Sequence, residues 1–258
     1  MRRASFGAFG LCVALGLTAC SLPAFLQPER QQPLEASPTL AGAESETFTP
    51  DRECGGEFTA DQRMYLELVH KMVAQGQYHA ALAHLDQLEK RTSAPQTRYL
   101  RAEALRYAGQ MHEAESLYRS LSTGCMAGYG LHGLGLLAAE GGRLEQAEDF
   151  LRQAVRERPV DAESHNDLGM VLLLRGQRQS AREEFLTAAE LDRKSLLPVE
   201  NLIVLMLAEK QDEDAHRLAA QRGLNAQDLA RLAERGQRLA ESSNPSGPPA
   251  ASSPSPQE

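Results

Sequence analysis

Apolar residues recur at helical spacing along most of this chain, and glycines interrupt them at nearly constant intervals. Glycines stand at positions 76, 109, 142 and 176, which are 33, 33 and 34 residues apart. Between these glycines, apolar side chains lie three or four residues apart, the spacing that places them on one face of an α-helix. The pattern predicts pairs of antiparallel helices, each pair joined by a tight turn at its glycine.

A finer pattern marks the third and fourth of these pairs. The third carries Leu134, Gly135, Gly142, Ala147, Leu151 and Ala154, and the fourth repeats it as Leu168, Gly169, Gly176, Ala181, Phe185 and Ala188. A glycine inside a helix costs ~1 kcal/mol relative to alanine, so Gly135 and Gly169 need a packing reason. We expect the two helices of each pair to approach closely at these glycines.

This repeated spacing of small and large residues resembles the tetratricopeptide repeat (TPR), in which a single helical pair cannot bury its apolar face alone. The resemblance implies an all-α fold, a right-handed TPR solenoid of about five helical hairpins plus a C-terminal capping helix. We predict the solenoid over residues 59–224, with repeats near 59–93, 94–125, 126–160, 161–194 and 195–224. The fifth repeat has no turn glycine, so we expect it to be degenerate.

The two ends of the predicted solenoid carry signals of their own. Thr59 and Gln62 fit a capping box at the start of the first helix. Asn225 is the expected N-cap of a capping helix over residues 225–241. Residues 242–258 contain 11 Ser or Pro and are predicted to form a disordered tail.

Residues 1–19 are predicted to be a lipoprotein signal peptide. Arg2 and Arg3 precede an apolar run over residues 4–18, which is too short to span a membrane as a helix. The run ends in Leu-Thr-Ala-Cys at residues 17–20, which resembles the lipobox of bacterial lipoproteins. That resemblance implies cleavage before Cys20 and lipidation of Cys20, whereas an ordinary cleaved signal would leave this cysteine unexplained.

Lipidation of Cys20 would anchor the protein stably to a membrane. Ser21 follows the anchor in place of the Asp that commonly retains such lipoproteins in the inner membrane. We therefore expect the outer membrane, with the chain on its periplasmic face. Residues 21–50 contain five prolines and little apolar periodicity. Residues 20–58 are accordingly predicted to be a lipidated N-terminus and a disordered tether.

Charge and candidate chemistry argue against several classes of function. The formal net charge is −8 and no stripe of basic residues is present, so a nucleic-acid partner is not expected. The histidines lack the spacing of metal ligands, and the sequence shows no phosphate-binding glycine loop or nucleophile elbow. We predict a non-enzymatic protein without metal or cofactor. An enzyme with an unrecognised site is the less favoured alternative.

Two cysteines remain after Cys12 leaves with the signal peptide and Cys20 is lipidated. Cys54 precedes the first helix, and Cys125 opens the third hairpin. In an oxidising periplasm such a pair can form a disulfide, which would close a long loop and hold the tether against the solenoid. Two free thiols are the alternative, and spacing alone does not decide between them.

In TPR folds, the first helix of each hairpin lines the concave face. When the first helices of this chain are matched to that arrangement, the resemblance predicts a peptide-binding groove. Its residues are Arg63, His70, Tyr99, Glu103, Arg106, Tyr107, Tyr129, His132, Asn166 and Met170. Three of the six tyrosines fall in this set, and Tyr supplies large contact area at small entropic cost. An extended or helical segment of a partner protein suits such a groove. The alternative is that apolar members such as Met170 belong to the hairpin core.

Three runs carry a more specific resemblance, namely residues 127–159, 165–192 and 200–215 with the short helix that follows. Together with the lipobox and the Pro-rich tether, they resemble the TadD lipoproteins of the tight-adherence (Flp) pilus assembly system. The resemblance implies a pilotin-like assembly factor that binds a subunit of the pilus secretin or another assembly component. The alternative is a periplasmic TPR adaptor lipoprotein that recruits cell-wall enzymes.

Overall fold

The computed structural model describes residues 54, 58–90 and 94–242, and its regular secondary structure there is helical. The helices of this part are α1 (Ala60–Ala74), α2 (Tyr78–Glu89), α3 (Pro95–Tyr107), α4 (Met111–Leu121), α5 (Ala127–Glu140), α6 (Leu144–Glu157), α7 (Ala162–Leu174), α8 (Arg178–Leu191), α9 (Leu197–Ala208), α10 (Asp212–Gln221) and α11 (Ala226–Ser242). A short 3₁₀ helix, Gly124–Met126, precedes α5. The predicted all-α class is confirmed. The predicted signal peptide, Cys20, nearly all of the predicted tether and the tail beyond residue 242 lie outside the described residues.

Consecutive helices pack as five hairpins, α1–α2, α3–α4, α5–α6, α7–α8 and α9–α10, and α11 packs against α9. The first helices of neighbouring hairpins also touch, so that α1 contacts α3, α3 contacts α5, α5 contacts α7 and α7 contacts α9. We call the surface formed by α1, α3, α5 and α7 the first-helix face. No helix among the described residues combines the length and the apolar composition that crossing a membrane requires.

Side-chain caps begin several of these helices. The capping box predicted at Thr59 is present, because its hydroxyl accepts from the Gln62 backbone N–H at 3.2 Å and its own N–H donates to the Gln62 side chain at 2.9 Å. Asp161 caps α7 by accepting from the Ser164 backbone N–H at 3.0 Å. Asn225 accepts from the backbone N–H of Asp228 at 3.0 Å. These contacts satisfy N–H groups that have no partner inside the helix.

The third and fourth hairpins are packed through glycine, as expected from the sequence. A Cβ placed on Gly135 would lie 2.6 Å from Cγ of Leu151, and one placed on Gly169 would lie 2.7 Å from Cε1 of Phe185. Leu151 and Phe185 are fully buried. Any side chain at the two glycines would therefore push the second helix of the hairpin away.

The fifth hairpin reaches the same arrangement with different residues. Ile203 and Ala219, each 34 residues after Gly169 and Phe185, are buried in one apolar cluster. Its turn is closed by Lys210 at φ 60°, where the first four hairpins have glycines with φ between 70° and 80°. A residue other than glycine in this left-handed conformation costs roughly 1–2 kcal/mol. The fifth hairpin therefore keeps its turn, although a lysine occupies the position of the turn glycine.

The chain ahead of α1 is fixed to the hairpins at two points. Phe58 is 6% exposed and packs in the apolar cluster of the first hairpin, which includes Leu66 and Leu88. Cys54 and Cys125 form a disulfide with their Cα atoms 5.1 Å apart. Of the two alternatives for these cysteines, the structure contains the disulfide, and it spans a sequence separation of 71.

Candidate protein-binding surface

Two tyrosines and an arginine meet on the first-helix face. The ring centroids of Tyr99 on α3 and Tyr129 on α5 lie 5.0 Å apart, and the guanidinium carbon of Arg158 lies 3.7 Å from the Tyr129 centroid. Arg158 follows α6 and can lie across α5 because Gly128 has no side chain; a Cβ there would be 2.4 Å from Cγ of Arg158. The guanidinium also pairs with Asp161 at 3.0 Å. The result is a tilted aromatic pair with a cation on one ring.

A second cluster surrounds Arg106, where α3 faces α5. Its Nη1 donates to Glu140 at 2.8 Å and its Nη2 donates to Glu103 at 3.3 Å. The hydroxyl of Tyr118 donates to the other oxygen of Glu103. Burial alone would lower the pKa of Arg106, but the charge of Glu103 and its neighbours raises that pKa well above its ordinary value. The guanidinium is therefore charged although it is only 7% exposed.

Tyr107 joins this cluster to the first hairpin. Its ring is stacked on Tyr78 of α2, with 5.3 Å between centroids and 11° between planes. The guanidinium carbon of Arg106 lies 4.0 Å from the centroid of Tyr107. Burial raises the pKa of Tyr107 to about 12, so its hydroxyl is neutral near pH 7.

A line of polar side chains links α5, α7, α9 and α11, and we call it the polar ladder. His132 donates from Nε2 to Asp167 at 2.8 Å, and Asn166 donates to the other oxygen of Asp167 at 3.2 Å. Asn201 then donates to the Asn166 side-chain oxygen at 2.9 Å, and Arg235 donates to the Asn201 side-chain oxygen at 3.1 Å. Hydrogen bonds of this kind offset the cost of burying polar groups between repeats.

His132 supplies a positive charge at the α5 end of the polar ladder. It is 4% exposed. Burial alone would lower the pKa of His132, but its hydrogen bond to Asp167 and the charge of that carboxylate raise it to about 9. The imidazole is therefore protonated at neutral pH, and His132 and Asp167 form a buried ion pair between neighbouring first helices.

Glu163 lies beside the polar ladder, and its side chain remains open to solvent. One of its carboxylate oxygens, a ring nitrogen of His132 and an oxygen of Asp167 lie within 4.8 Å of one another. Dense protein surroundings raise the pKa of Glu163 to about 7; the carboxylates of Asp167, Asp161 and Glu103 raise it further, and His132 opposes them. Within the described part of the chain, its carboxylate makes no hydrogen bond or ion pair.

These three side chains have the donor types of a metal site, which the sequence did not predict. Metal binding needs a free imidazole nitrogen, and the Nε2 of His132 carries the proton that it donates to Asp167. A metal ion would have to displace that proton, and a pKa of about 9 makes this less favourable at neutral pH. The arrangement therefore suits a cationic group that contacts carboxylates better than a metal ion that needs the imidazole.

Comparison with known proteins identifies the family of this helical array. The tetratricopeptide-repeat family model matches residues 66–123 and 132–195. The TPR repeat-containing protein PA4299 of Pseudomonas aeruginosa is 36% identical over 203 residues, which cover 79% of this chain and 82% of that protein. The chain belongs to the TPR family.

Solved structures agree with this assignment at the level of the fold. A thermophilic TPR protein of Thermus thermophilus superposes with a TM-score of 0.55 at 22% identity, covering 69% of this chain and 98% of that one. The pilF protein of Pseudomonas aeruginosa gives a TM-score of 0.55 at 23% identity, covering 70% and 87%. TPR arrays mediate contacts between proteins, so the first-helix face is a candidate surface for a protein partner.

The predicted groove residues do not all reach the surface of this TPR array. Tyr99, Glu103, Tyr107 and Tyr129 are partly exposed in the clusters described above, and Arg63 is exposed on α1. His70 is half-buried, and burial lowers its pKa. The central part of the predicted groove, on α3 and α5, thus presents aromatic and acidic side chains together.

Three predicted groove residues differ from the expectation because they are buried. Arg106, His132 and Asn166 are 7%, 4% and 2% exposed, and each is hydrogen-bonded to a neighbouring first helix. They support the surface from beneath and do not line it. Met170 is half-buried and packs against the apolar cluster of the third and fourth hairpins, which is the alternative considered for it.

Sequence reasoning missed several residues that shape this surface. Glu163, Asp167, Asn201 and Arg158 were not among the candidate groove residues. A signal was nevertheless available, since ladder residues 132, 167 and 201 follow one another after 35 and 34 residues. Polar residues repeated at the TPR period indicate contacts between repeats as clearly as apolar ones do.

Proposed function

We propose that this TPR protein is a lipid-anchored, non-enzymatic adaptor that binds a segment of a partner protein on its first-helix face. The observation that carries the proposal is the set of partly exposed tyrosines on α3 and α5, Tyr99, Tyr107 and Tyr129, which lie beside ionic groups. Rigid aromatic side chains with charged neighbours are typical of residues that dominate binding energy at protein interfaces. An extended or helical segment laid across α3 and α5 would contact all three rings.

Anchoring at the outer membrane is part of the same proposal. It is supported by the lipobox-like residues 17–20 and by Ser21 after the lipidated cysteine. A lipid anchor confines the binding surface to a thin layer, where a modest affinity suffices because the effective concentration is high. The resemblance to TadD lipoproteins supports a pilotin-like role, with a secretin subunit of a tight-adherence pilus or another assembly component as the partner.

Photo-crosslinking in cells tests the binding surface. A photoreactive phenylalanine derivative replaces Tyr129, which keeps an aromatic ring at that position. Matched control variants carry it at Met111 or Leu186, each 44% exposed on a second helix. We expect an ultraviolet-dependent adduct with a secretin subunit from position 129 and none from the two controls. Equal adducts from all three positions would contradict the assigned surface. Adducts with cell-wall enzymes would support the alternative that the protein recruits such enzymes in the periplasm.

The anchor is tested in the same cells with Cys20→Ser. This variant removes the thiol that accepts the diacylglyceryl group, so we expect the protein to leave the outer-membrane fraction. Fractionation and mass spectrometry of the purified protein measure the two effects separately. A Ser variant of unchanged mass that stays in the outer membrane would show that Cys20 is not the anchor.

A further inference from the structure

The centre of the first-helix face carries more carboxylates than cations. Around α3, α5 and the start of α7 it has the five acids Glu103, Glu140, Asp161, Glu163 and Asp167 and the three cations Arg106, Arg158 and His132. The three cations are held within the fold by ion pairs of 2.8–3.3 Å to the other four acids. The charge left over is negative, and Glu163 is the acid without an ion-pair partner among the described residues.

The charge of Glu163 reaches the aromatic pair. Burial raises the pKa of Tyr99 well above its ordinary value, and the charges of Glu103 and Glu163 raise it further while Arg158 lowers it. Both carboxylates therefore raise the pKa of the Tyr99 hydroxyl, and the Tyr99 ring packs against Tyr129. Glu163 also lies within 4.8 Å of His132, which is one helical turn after Tyr129 on α5, so a group that binds beside this carboxylate would be close to the aromatic pair.

The surrounding rings already bind guanidinium groups of this chain. Arg158 lies over Tyr129 at 3.7 Å, and Arg106 lies over Tyr107 at 4.0 Å. A cation above an aromatic face is attracted by the electron density of the ring, and the attraction grows when water is displaced. A cation supplied by a partner would use the same attraction.

We propose that the first-helix face selects a basic segment of its partner, with one Arg or Lys side chain seated between Glu163 and the Tyr99–Tyr129 pair. This inference rests on the proposed function and specifies the chemistry of the bound segment. The incoming cation would neutralise one unit of the excess negative charge, at a carboxylate that forms no ion pair within the described residues. An acidic segment would instead add to the charge of Glu163 and be repelled.

Selection from a random 12-residue peptide library displayed on phage tests the proposal with the purified lipoprotein in detergent. We expect the enriched peptides to contain Arg or Lys more often than the unselected library does. For one enriched peptide made synthetically, replacing its Arg with citrulline or its Lys with norleucine should weaken binding on the order of tenfold. Equal binding by the neutral analogue would overturn the proposal.

Glu163→Gln is the matching change on the protein. Affinity for the basic peptide should again fall on the order of tenfold, with little further loss when the neutral analogue is used, because the two changes remove one interaction. Glu213→Gln is the control, since Glu213 is exposed on α10 and lies far from the face in sequence and hairpin order. Equal affinities for the parent protein and the Glu163→Gln variant would show that Glu163 does not bind the basic side chain and would overturn the proposal.

Dependence on pH gives an independent measurement. The pKa of Glu163 is about 7, so its carboxylate is charged above that pH and protonated below it. Over pH 6–8 Arg or Lys on the peptide stays protonated, and so does His132 of α5, whose pKa is about 9. Asp161 at the N-cap of α7, Asp167 within α7 and Glu103 of α3 also act on this carboxylate. Affinity for the basic peptide should therefore rise from pH 6 to pH 8, and this rise should disappear in Glu163→Gln.

The outcomes separate this inference from the proposed function. A library that yields no peptide above background, together with no adduct from position 129 in cells, would overturn both. Enriched peptides without basic residues would leave the peptide-binding surface in place and overturn only the charge selection. Binding that is abolished by EDTA would assign the cation to a metal ion and would also overturn the basic-segment proposal.

Discussion

In the fourth hairpin the first helix supplies the small residue, Gly169, and the second supplies the large one, Phe185, whereas Ile203 and Ala219 reverse that order in the fifth hairpin. In both hairpins the pair is fully or almost fully buried. The two helices therefore need a combined volume at this level, and either helix can supply most of it. Close packing constrains the sum of the side chains more strongly than the position of each one.

The turns of the same two hairpins differ in a similar way. In the fourth, the N–H of Gly176 donates to the Leu173 carbonyl at 3.0 Å, and in the fifth the N–H of Lys210 donates to the Leu207 carbonyl at 3.1 Å. The hydrogen bonds are the same, but Lys210 is held at positive φ with a side chain. The fifth hairpin therefore keeps the TPR turn at a local cost in backbone energy.

The largest effect is expected from Ile203→Gly in the fifth hairpin. The change removes a fully buried side chain and places glycine inside a helix, which together should lower the free energy of unfolding by roughly 3–6 kcal/mol. Adding Ala219→Phe recreates the residue pair of the fourth hairpin, so the double variant should recover at least ~1 kcal/mol relative to the sum of the single changes. Urea unfolding followed by circular dichroism measures this. Strictly additive effects would show that the two residues do not share one space.

An intermediate effect is expected from Gly169→Leu in the fourth hairpin. Even a Cβ at this position would meet the Phe185 ring at 2.7 Å, so the larger side chain should lower stability by about 1–3 kcal/mol or more. Thermal melts monitored by circular dichroism provide the measurement. The control is Ala83→Leu, at an exposed position of α2, which should change stability little. Equal melting temperatures for the Gly169 variant and the control would refute the close approach of α7 and α8.

The smallest effect is expected from exchanging the turn residues. Lys210→Gly should raise the free energy of unfolding by about 1 kcal/mol, because glycine adopts positive φ without a steric penalty. Gly176→Lys in the fourth hairpin should lower it by a similar amount, so each substitution is the control for the other. Urea midpoints compare the two with the parent protein. If both changes shift the midpoint in the same direction, backbone strain at the turn is not the difference between these hairpins.

Much of the fold could be predicted because its signals are local or periodic. The turn glycines at positions 76, 109, 142 and 176 repeat at nearly constant spacing, and all four adopt positive φ. The helix-interior Gly135 and Gly169 indicated close contacts by their unfavourable helix propensity, and the contacts are present. Each signal states a physical requirement that few other residues meet.

The remainder depends on contacts that a single sequence does not encode locally. Lys210 adopts a glycine conformation because the packing of α9 and α10 holds it there, and nothing in the Lys side chain indicates this. Asn166 and Asn201 look like surface residues until the neighbouring first helix supplies a hydrogen-bond partner. The sequence therefore predicted the partly exposed tyrosines of the candidate site. It did not predict Glu163, Asp167 or Asn201, and it assigned the buried Arg106, His132 and Asn166 to the lining of the groove.

The disulfide between Cys54 and Cys125 also determines how the protein responds to mechanical tension. A pull on the chain ahead of Cys54 passes through the covalent bond to the start of α5, so α1 to α4 lie outside the loaded path. Tyr99 and Tyr107 belong to the unloaded segment, whereas Tyr129 follows the point where the force enters the helices. Tension at the N-terminus would therefore be felt on the first-helix face where Tyr99 meets Tyr129, at the boundary between α3 and α5.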